Sequence, residues 1–239
     1  MTDIRKSLTE KAKAMGWKVS AAQADQFQTY MELLLEWNEK MNLTAITQPE
    51  EVVEKHFLDS MTLLAWPKLK QGAKVIDVGT GAGFPGLVLK ILDPTIQLTL
   101  LDSLGKRVDW LGELCQELHL PDVTLLKGRA EELSRQKEHR EGYDVAVSRA
   151  LASMPVLAEL CLPYVKVGGK FLAMKSVDSD AELQSAAHAI SVLGGRVAAK
   201  EDYLIPGTQV QHRLIVIEKV SPTPAKYPRG FAKIKKSPL

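Results

Sequence analysis

The sequence has few cysteines, no long apolar run and almost no net charge. Two cysteines among 239 residues are too few for a disulfide framework. No stretch reaches the roughly 18 consecutive apolar residues that a membrane-spanning helix requires, and segment 1–18 lacks the apolar centre of a signal peptide. We therefore expect a cytoplasmic protein that does not enter a membrane.

Side chains that bind metals or act as nucleophiles are scattered along the chain. The five histidines stand singly, so the sequence predicts no metal site. Cys115 and Cys161 each lie among apolar residues with no flanking His or Asp. This setting favours buried thiols over nucleophiles.

The composition is that of an ordinary globular protein, with 45% hydrophobic and 25% charged residues. Its length suits one full domain with a smaller addition. Residues 1–66 have only helical patterns, residues 67–219 alternate apolar runs with helical segments, and residues 220–239 are basic. We interpret these regions as an N-terminal helical extension, a cofactor-binding domain and a flexible tail.

The alternation in residues 67–219 predicts an α/β fold with a mostly parallel, Rossmann-like sheet and helices on both faces. Seven runs are continuously apolar, as strands buried on both faces of a parallel sheet are. Only the last two runs are joined by a segment too short for a helical crossover, so we expect that pair to be antiparallel. The runs are KVIDV, QLTLLD, VTLLKG, YDVAVSRA, KFLAMK, RVAAKEDYLI and RLIVIEK.

One helix of the N-terminal region has a start signal in the sequence. Thr47 is followed by Gln, Pro and Glu, a pattern that predicts a capping box with an early proline. The helix is expected to run to about Leu64, and Trp66-Pro67 to end it.

A glycine-dense turn after the first predicted strand is the clearest functional signal. Residues 74–87, KVIDVGTGAGFPGL, combine a buried strand, a turn that lets a ligand approach the backbone, and the start of a helix with free N–H groups. The next strand ends at Asp102, whose carboxylate suits both hydroxyls of an adenosine ribose. The sequence therefore predicts a nucleoside-containing cofactor across these strand ends.

Two cofactor classes fit this turn, and Asp77 distinguishes them. The spacing Gly81-x-Gly83-x-x-Gly86 also occurs in dinucleotide-binding proteins. Asp77 stands two positions before Gly79, and the resulting Asp-x-Gly-x-Gly-x-Gly resembles the first motif of class I S-adenosylmethionine-dependent methyltransferases. In that superfamily the acid helps to hold the amino-acid end of the cofactor. A carboxylate repels a pyrophosphate but tolerates a zwitterionic methionine with a sulfonium, which favours S-adenosylmethionine.

Further motifs narrow the resemblance from a superfamily to one family. The strings WNEKMNLTAIT, HFLDS, DVGTGAGFPG, TLLDSLGKRVDWL, GRAEEL and VSRA occur in this order. Together, over about residues 33–219, they resemble the GidB-type methyltransferases of small-subunit ribosomal RNA. The resemblance implies methyl transfer from S-adenosylmethionine to N7 of a guanosine in 16S ribosomal RNA. The expected partner is that RNA or the ribosomal subunit, and we expect the protein to be a monomer.

The resemblance also implies cofactor contacts in the glycine turn, in GRAEEL and in VSRA, and the ribose argument adds Asp102. Phe84 and Glu131 are equally well explained as a core residue and a helix N-terminal charge. Arg149 follows an apolar run at a strand end, where open α/β sheets bind ligands. The expected cofactor-binding residues are Gly79, Gly81, Phe84, Asp102, Ala130, Glu131 and Arg149.

No catalytic base or nucleophile is predicted. Guanine N7 has an exposed lone pair and no proton, so its methylation requires no base. Catalysis then depends on holding the methyl group in line with N7, which is an orientation effect. A cation beside a purine that is becoming positive opposes reaction, so we interpret Arg149 as an anchor for cofactor or phosphate.

Basic residues that suit RNA phosphates occur singly and in the tail. Lys106, Arg107, Lys175 and Arg213 are single candidates, although a solvated surface charge is the simpler explanation of each. Residues 219–239 have six basic residues, no acid and four prolines, and are expected to be extended and mobile. That composition suits an RNA-binding arm or a merely solubilising tail.

The tail also departs from the family pattern. Tyr227-Pro228-Arg229 matches it, whereas Gly230-Phe231-Ala232 replaces the Gly-x-Pro element that we associate with the family. Two other functions stay open. A small-molecule methyltransferase of the same fold would account for the lack of a separate RNA-binding module, and a dinucleotide-binding protein for the glycine spacing alone.

Overall fold

The computed structural model describes residues 2–65, 71–149, 152–205 and 207–239. Trp66-Pro67, predicted to end a helix, lies outside these ranges. Within these ranges, seven strands form one sheet in the order β3-β2-β1-β4-β5-β7-β6, which confirms the predicted fold. They are β1 (Lys74–Val78), β2 (Gln97–Asp102), β3 (Val123–Lys127), β4 (Tyr143–Arg149), β5 (Val165–Ser176), β6 (Gly195–Leu204) and β7 (Gln211–Lys219).

Strand direction explains where a ligand site forms. β1 pairs in parallel with β2 on one side, where Val75 is opposite Leu98, and with β4 on the other, where Val75 is opposite Val145. The chain thus extends in both directions from β1, and this switch point opens a crevice at the carboxyl ends of the strands. β7 is antiparallel to β5 and to β6, as predicted for the last pair.

Eleven α-helices lie within the described ranges, and none of them is long and apolar enough to cross a bilayer. A π-helical turn, Val53–Leu58, joins α3 to α4. The helices are α1 (Arg5–Ala14), α2 (Ala21–Met41), α3 (Pro49–Val52), α4 (Asp59–Met61), α5 (Gly86–Leu92), α6 (Gly105–Glu117), α7 (Ala130–Leu133), α8 (Met154–Cys161), α9 (Asp180–Ser185), α10 (Ala187–Val192) and α11 (Phe231–Lys236).

Two apolar cores cover the faces of the sheet. Val75 and Leu100 belong to the core under α1, α2, α5 and α6, whereas Ile76 and Leu101 belong to the core under α8, α10 and α11. Successive strand residues therefore enter opposite cores, which is why the strand runs are continuously apolar. Cys115 and Cys161 are buried in these cores and unpaired, as predicted.

Capping differs from the prediction in the N-terminal region. The capping box is at α2, where Ser20 Oγ accepts a hydrogen bond from the Gln23 backbone N–H at 3.2 Å. The predicted box at Thr47 is wrong, because α3 begins after Gln48 without a side-chain cap. Glu50 instead accepts from Lys11 Nζ at 2.9 Å. The helical path does continue to Ala65, as expected.

The basic C-terminal segment is not extended, contrary to the prediction. It ends in α11, and Ile234 is fully buried in the core beside α8. Arg229 binds the fully buried Glu159 with two guanidinium nitrogens, at 2.6 and 2.9 Å. Lys219 Nζ donates to the Leu162 and Val165 carbonyls at 2.8 and 3.0 Å. The composition of the segment favoured an extended chain. Composition does not reveal the groups that bind Lys219 and Arg229, because these groups lie more than fifty residues away in sequence.

Candidate functional site

The glycine turn after β1 has a backbone that requires glycine. Gly79, Gly81 and Gly83 have φ values of 72°, 58° and 91°, in the left-handed region. A Cβ on Gly83 would lie 2.6 Å from Tyr30 Oη, whereas a Cβ on Gly81 would meet nothing within 4 Å. Gly83 therefore permits close packing of α2, while Gly81 leaves open space above the strand ends.

Asp77 stabilises this turn from inside the protein. Its Oδ2 accepts hydrogen bonds from Thr80 Oγ1 at 2.7 Å and from the Gly86 backbone N–H at 2.9 Å. The carboxyl group is fully buried, and this burial raises the pKa of Asp77 to about 7. The side chain thus faces the turn and not the crevice, which differs from the cofactor contact that the resemblance implies.

A pocket of about 260 Å³ lies at the carboxyl ends of β1, β2 and β3, and we call it the β1–β3 pocket. Four of the predicted cofactor-binding residues line it, namely Gly79, Asp102, Ala130 and Glu131. Its apolar lining includes Leu104, Leu160 and Phe231. The structure therefore brings together residues from three separate motifs of the sequence.

Asp102 fixes the loop that follows β2. Its Oδ1 accepts from the Leu104 backbone N–H at 2.9 Å, and its Oδ2 accepts from the Gly81 backbone N–H at 3.1 Å. Arg107 Nη1 also lies 3.7 Å from Oδ2, but a carboxylate offers about four acceptor sites, so accepting capacity remains for a ligand. Asp102 therefore joins the glycine turn to the second strand end and keeps accepting capacity toward the pocket.

Glu131 and Ala130 open the short helix α7 beside this pocket. Glu131 Oε1 accepts from Arg129 Nε at 3.1 Å, and the Ala130 carbonyl accepts from the buried Tyr164 hydroxyl at 2.7 Å. Glu131 stands in the first turn of α7, where a negative charge is favourable. The position thus suits both explanations of Glu131, the helix charge and the ligand contact.

Phe84 and Arg149 lie away from the β1–β3 pocket. The Phe84 ring, 4% exposed, stacks between Tyr30 and His56 with centroid distances of 5.0 and 4.5 Å. The Arg149 guanidinium carbon is 5.0 Å from the centre of the Phe84 ring. Arg149 also donates to the Lys55 carbonyl at 3.1 Å. Phe84 is thus a core residue by its side chain, and Arg149 is tied to the π-helical turn.

A second cavity of about 570 Å³, the β4 cavity, adjoins the end of β4 on the side of β5 and β7. Asp59 is fully buried at its wall and accepts from Arg149 at 3.2 Å, Tyr203 Oη at 2.9 Å and His212 Nδ1 at 3.0 Å. The lining residues are Ile46, Lys55, His56, Asp59, Arg149, Met174, Lys175, Ser176, Ile205, Val210 and His212.

His56 is the second buried polar group of this cavity. Burial, and then the positive charge of Arg149, lower the pKa of His56 to about 3, so the ring is neutral near pH 7. Its Nε2 lies 2.8 Å from Thr44 Oγ1 and its Nδ1 lies 3.0 Å from Arg149. Sequence reasoning gave no role to Asp59, Tyr203 or His56. The available signal was HFLDS, in which polar residues interrupt an apolar helical stretch.

The single basic candidates separate into two groups. Arg213 is buried and paired with Asp202 at 2.5 Å, and Lys175 pairs with Glu182 at 2.7 Å. Lys106 is exposed and Arg107 half-buried at the start of α6, beside a groove of about 610 Å³ against the end of α2. Arg107 also lines the β1–β3 pocket, with its Nη1 3.7 Å from Asp102 Oδ2, so Lys106 is the exposed basic residue of this turn, whereas Lys175 and Arg213 serve the fold.

The sequence matches one family along most of its length. The family model described as rRNA small subunit methyltransferase G matches residues 23–206. The chain belongs to this family. A ribosomal RNA small subunit methyltransferase G of Alkaliphilus metalliredigens is 50% identical over 232 residues, which cover 97% of each chain. The enzyme of that name from Staphylococcus carnosus is 47% identical over 233 residues, again 97% of each chain.

Solved structures agree on the fold. The S-adenosylmethionine-dependent methyltransferase SibL in its apo form superposes with a TM-score of 0.52 at 16% identity, covering 69% of this chain and 55% of that one. The predicted family, the class I methyltransferase fold and the dependence on S-adenosylmethionine are thereby confirmed. Residues 207–239, with all of β7 and all of α11, lie beyond the match to the family model.

Proposed function

We propose that this protein transfers a methyl group from S-adenosylmethionine to N7 of a guanosine in 16S ribosomal RNA, acting as a cytoplasmic monomer. Family membership supports the donor and the class of RNA. The structural observation that carries the proposal is the pair of cavities at neighbouring strand ends, the β1–β3 pocket and the β4 cavity. Two sites side by side are what direct transfer between two ligands requires.

The β1–β3 pocket has the chemistry of a cofactor site. Leu104, Ala130 and Leu160 offer apolar surface to a purine, and Asp102 retains acceptor sites for ribose hydroxyls. Gly79 lets the backbone lie close to the ligand. When bound, S-adenosylmethionine supplies an electrophilic methyl group on a sulfonium. We assign Gly79, Gly81, Asp102, Ala130 and Glu131 to holding the cofactor, with residues 67–219 as the domain that binds it.

The β4 cavity suits an acceptor nucleobase. Apolar side chains such as Met174 and Val210 offer contact to a planar ring, and polar groups stand at its wall. Arg149 is held by the Asp59 carboxylate, so its charge is largely balanced before the acceptor becomes positive. The neutral His56 adds no charge near pH 7. These residues orient the acceptor, and no proton has to be removed from N7.

Methyl transfer to RNA tests the proposal directly. Small subunits that lack the modification are incubated with protein and labelled S-adenosylmethionine, and nucleosides from their RNA are then analysed. We expect labelled 7-methylguanosine. Its absence would contradict the proposal, and turnover of metabolites without RNA labelling would favour the small-molecule alternative. Calorimetric binding of NAD without binding of S-adenosylmethionine would favour the dinucleotide alternative.

Gly79→Asp tests the cofactor site. The new carboxylate would stand where the ligand approaches the backbone, and the residue would have to adopt a φ of 72°. We expect S-adenosylmethionine affinity to fall by at least about a hundredfold, equivalent to about 2.7 kcal/mol. Gly72→Asp is the matched control, because Gly72 also has a positive φ, 73°, but lies in the turn before β1. Equal affinities in both variants would remove the glycine turn from the site.

A further inference from the structure

We propose that Phe231, which lies after residues 23–206 matched by the family model, is a cofactor-binding residue whose ring contacts the adenine of S-adenosylmethionine. The proposal rests on the cofactor site assigned above. Phe231 begins α11 and lines the β1–β3 pocket with Leu104, Ala130 and Leu160. Among the described residues that line this pocket, it is the only aromatic one.

The C-terminal segment is built to hold this ring in place. Arg229, two residues before Phe231, donates to Glu159 through its backbone N–H at 2.8 Å and through its guanidinium at 2.6 Å. Glu159 is fully buried, so the pair is shielded from solvent. On the other side of Phe231, Ile234 is buried in the core. Anchors on both sides thus fix the backbone from which Phe231 enters the pocket.

Arg129 further defines the orientation of the ring. Its guanidinium carbon lies 4.3 Å from the centre of the Phe231 ring, a cation–π distance. Arg129 also donates to Glu131 at 3.1 Å, so the ring, the guanidinium and the carboxylate form one connected wall. A half-buried aromatic ring held at the mouth of a ligand pocket is suited to stacking on a planar base.

The position of the ring indicates which end of the cofactor it contacts. Asp102 marks the ribose, and the acceptor cavity lies beyond Arg149 at β4. The methyl group must therefore point toward β4. Ala130 and Glu131 follow β3, and the Phe231 ring lies against Arg129, which directly precedes them, so all three are on the opposite, β3 side of the pocket. The moiety left for that side is the adenine.

Calorimetry on the full chain tests the contact. S-adenosylhomocysteine and adenosine are titrated into the wild type, Phe231→Ala and Phe231→Trp. We expect Phe231→Ala to raise both Kd values about tenfold, since stacking contributes through the base, and Phe231→Trp to restore affinity. Lys233→Ala is the control, because Lys233 is exposed on the same short helix outside the pocket, and it should bind as the wild type does.

The outcomes separate this inference from the cofactor site itself. Wild-type affinity in Phe231→Ala, together with lost binding in Gly79→Asp, would overturn the role of Phe231 and leave the site standing. Failure of the wild type to bind either adenosine compound would overturn both. Thermal unfolding without ligand is the control that checks whether Phe231→Ala is folded.

A protease measurement gives a second readout on the segment. Trypsin cleaves after exposed lysines such as Lys233 and Lys235 once α11 detaches. If the bound adenine rests on Phe231, S-adenosylhomocysteine should slow this cleavage several-fold in the wild type but not in Phe231→Ala at saturating ligand. Equal protection of both proteins would contradict the contact.

Discussion

At the scale of single residues, the direction in which a side chain faces decides whether a residue of a motif reaches the crevice. Asp77 lies one residue before the end of β1, and the motif did not show that its carboxylate faces inward to Thr80 and Gly86. Asp102 is the last residue of β2, and its side chain lines the pocket at the carboxyl ends of the strands. The position of a residue at a strand end is thus predictable, whereas the direction of its side chain depends on contacts that only the fold defines.

The buried carboxyl of Asp77 predicts a pH dependence of stability. Its pKa is raised from 3.8 to about 7 by burial, so between these values the folded protein binds a proton that the unfolded chain does not. Stability from this group is therefore present below pH 4 and is lost as the pH rises through 7, by about 1.4 kcal/mol per pH unit. Asp77→Asn keeps an acceptor and cannot ionise. Its free energy of unfolding relative to the wild type should rise between pH 5 and pH 7, measured by urea unfolding.

The pH trend, and not the absolute stability, is the test of Asp77. In Asp77→Asn the side-chain NH2 takes the place of Oδ1, an atom that has no hydrogen-bond partner among the described atoms, so a constant offset is expected at every pH. The same difference between Asp77→Asn and wild type at pH 5 and pH 7 would show that the carboxyl does not titrate in this window.

At the scale of elements, apolar patterning predicted the strands because each strand is buried on both faces. Val75 and Ile76 enter different cores, and a continuous apolar run follows directly. Patterning failed at the start of α3, where Glu50 pairs with Lys11 instead of closing a capping box. Contacts between residues far apart in sequence override local signals, and no local pattern indicated the π-helical turn at Val53–Leu58.

The N-terminal extension supports the glycine turn and does not merely cover the sheet. The fully buried Tyr30 of α2 donates from its hydroxyl to the Ala82 carbonyl at 2.6 Å and stacks on Phe84. Tyr30→Phe keeps the ring but leaves the Ala82 carbonyl without that donor. We expect the free energy of unfolding to fall by about 1–2 kcal/mol. S-adenosylmethionine affinity should also fall several-fold, because the turn is less fixed.

A second tyrosine provides the comparison for Tyr30. Tyr143 stands at the start of β4, at the opposite end of the strands from the glycine turn, and its Oη lies 3.0 Å from His139 Nδ1. Tyr143→Phe should lower the free energy of unfolding, measured in urea, without changing the Kd for S-adenosylmethionine, measured by calorimetry. Unchanged affinity in Tyr30→Phe as well would mean that α2 stabilises the fold without shaping the cofactor site.

At the scale of the whole molecule, the small net charge of +2 conceals an uneven distribution. Without the six basic residues of 219–239, the remaining chain has 25 Lys and Arg against 29 Asp and Glu, a formal charge of −4. Lys219 and Arg229 are further occupied by Glu141 and Glu159. Exposed positive charge in the C-terminal segment is therefore confined to Lys226 and to Lys233, Lys235 and Lys236 on and around α11. RNA attraction must come from such local edges.

The lysines of α11 can be tested without disturbing the fold. Truncation after Lys219 would remove Arg229 and leave Glu159 buried without its partner, which is strongly destabilising. Replacing Lys233, Lys235 and Lys236 with Gln keeps every buried contact of the segment. If each lysine binds one phosphate, RNA affinity should depend less on salt. The slope of log affinity against log salt concentration should be smaller by about 2, since each contact contributes about 0.7.

The matched control replaces the exposed lysines of the N-terminal region, Lys6, Lys13 and Lys18, with Gln. Both triple variants lose three positive charges, so equal slopes would assign any effect to net charge, whereas a smaller slope in the α11 variant alone would assign it to contact with RNA.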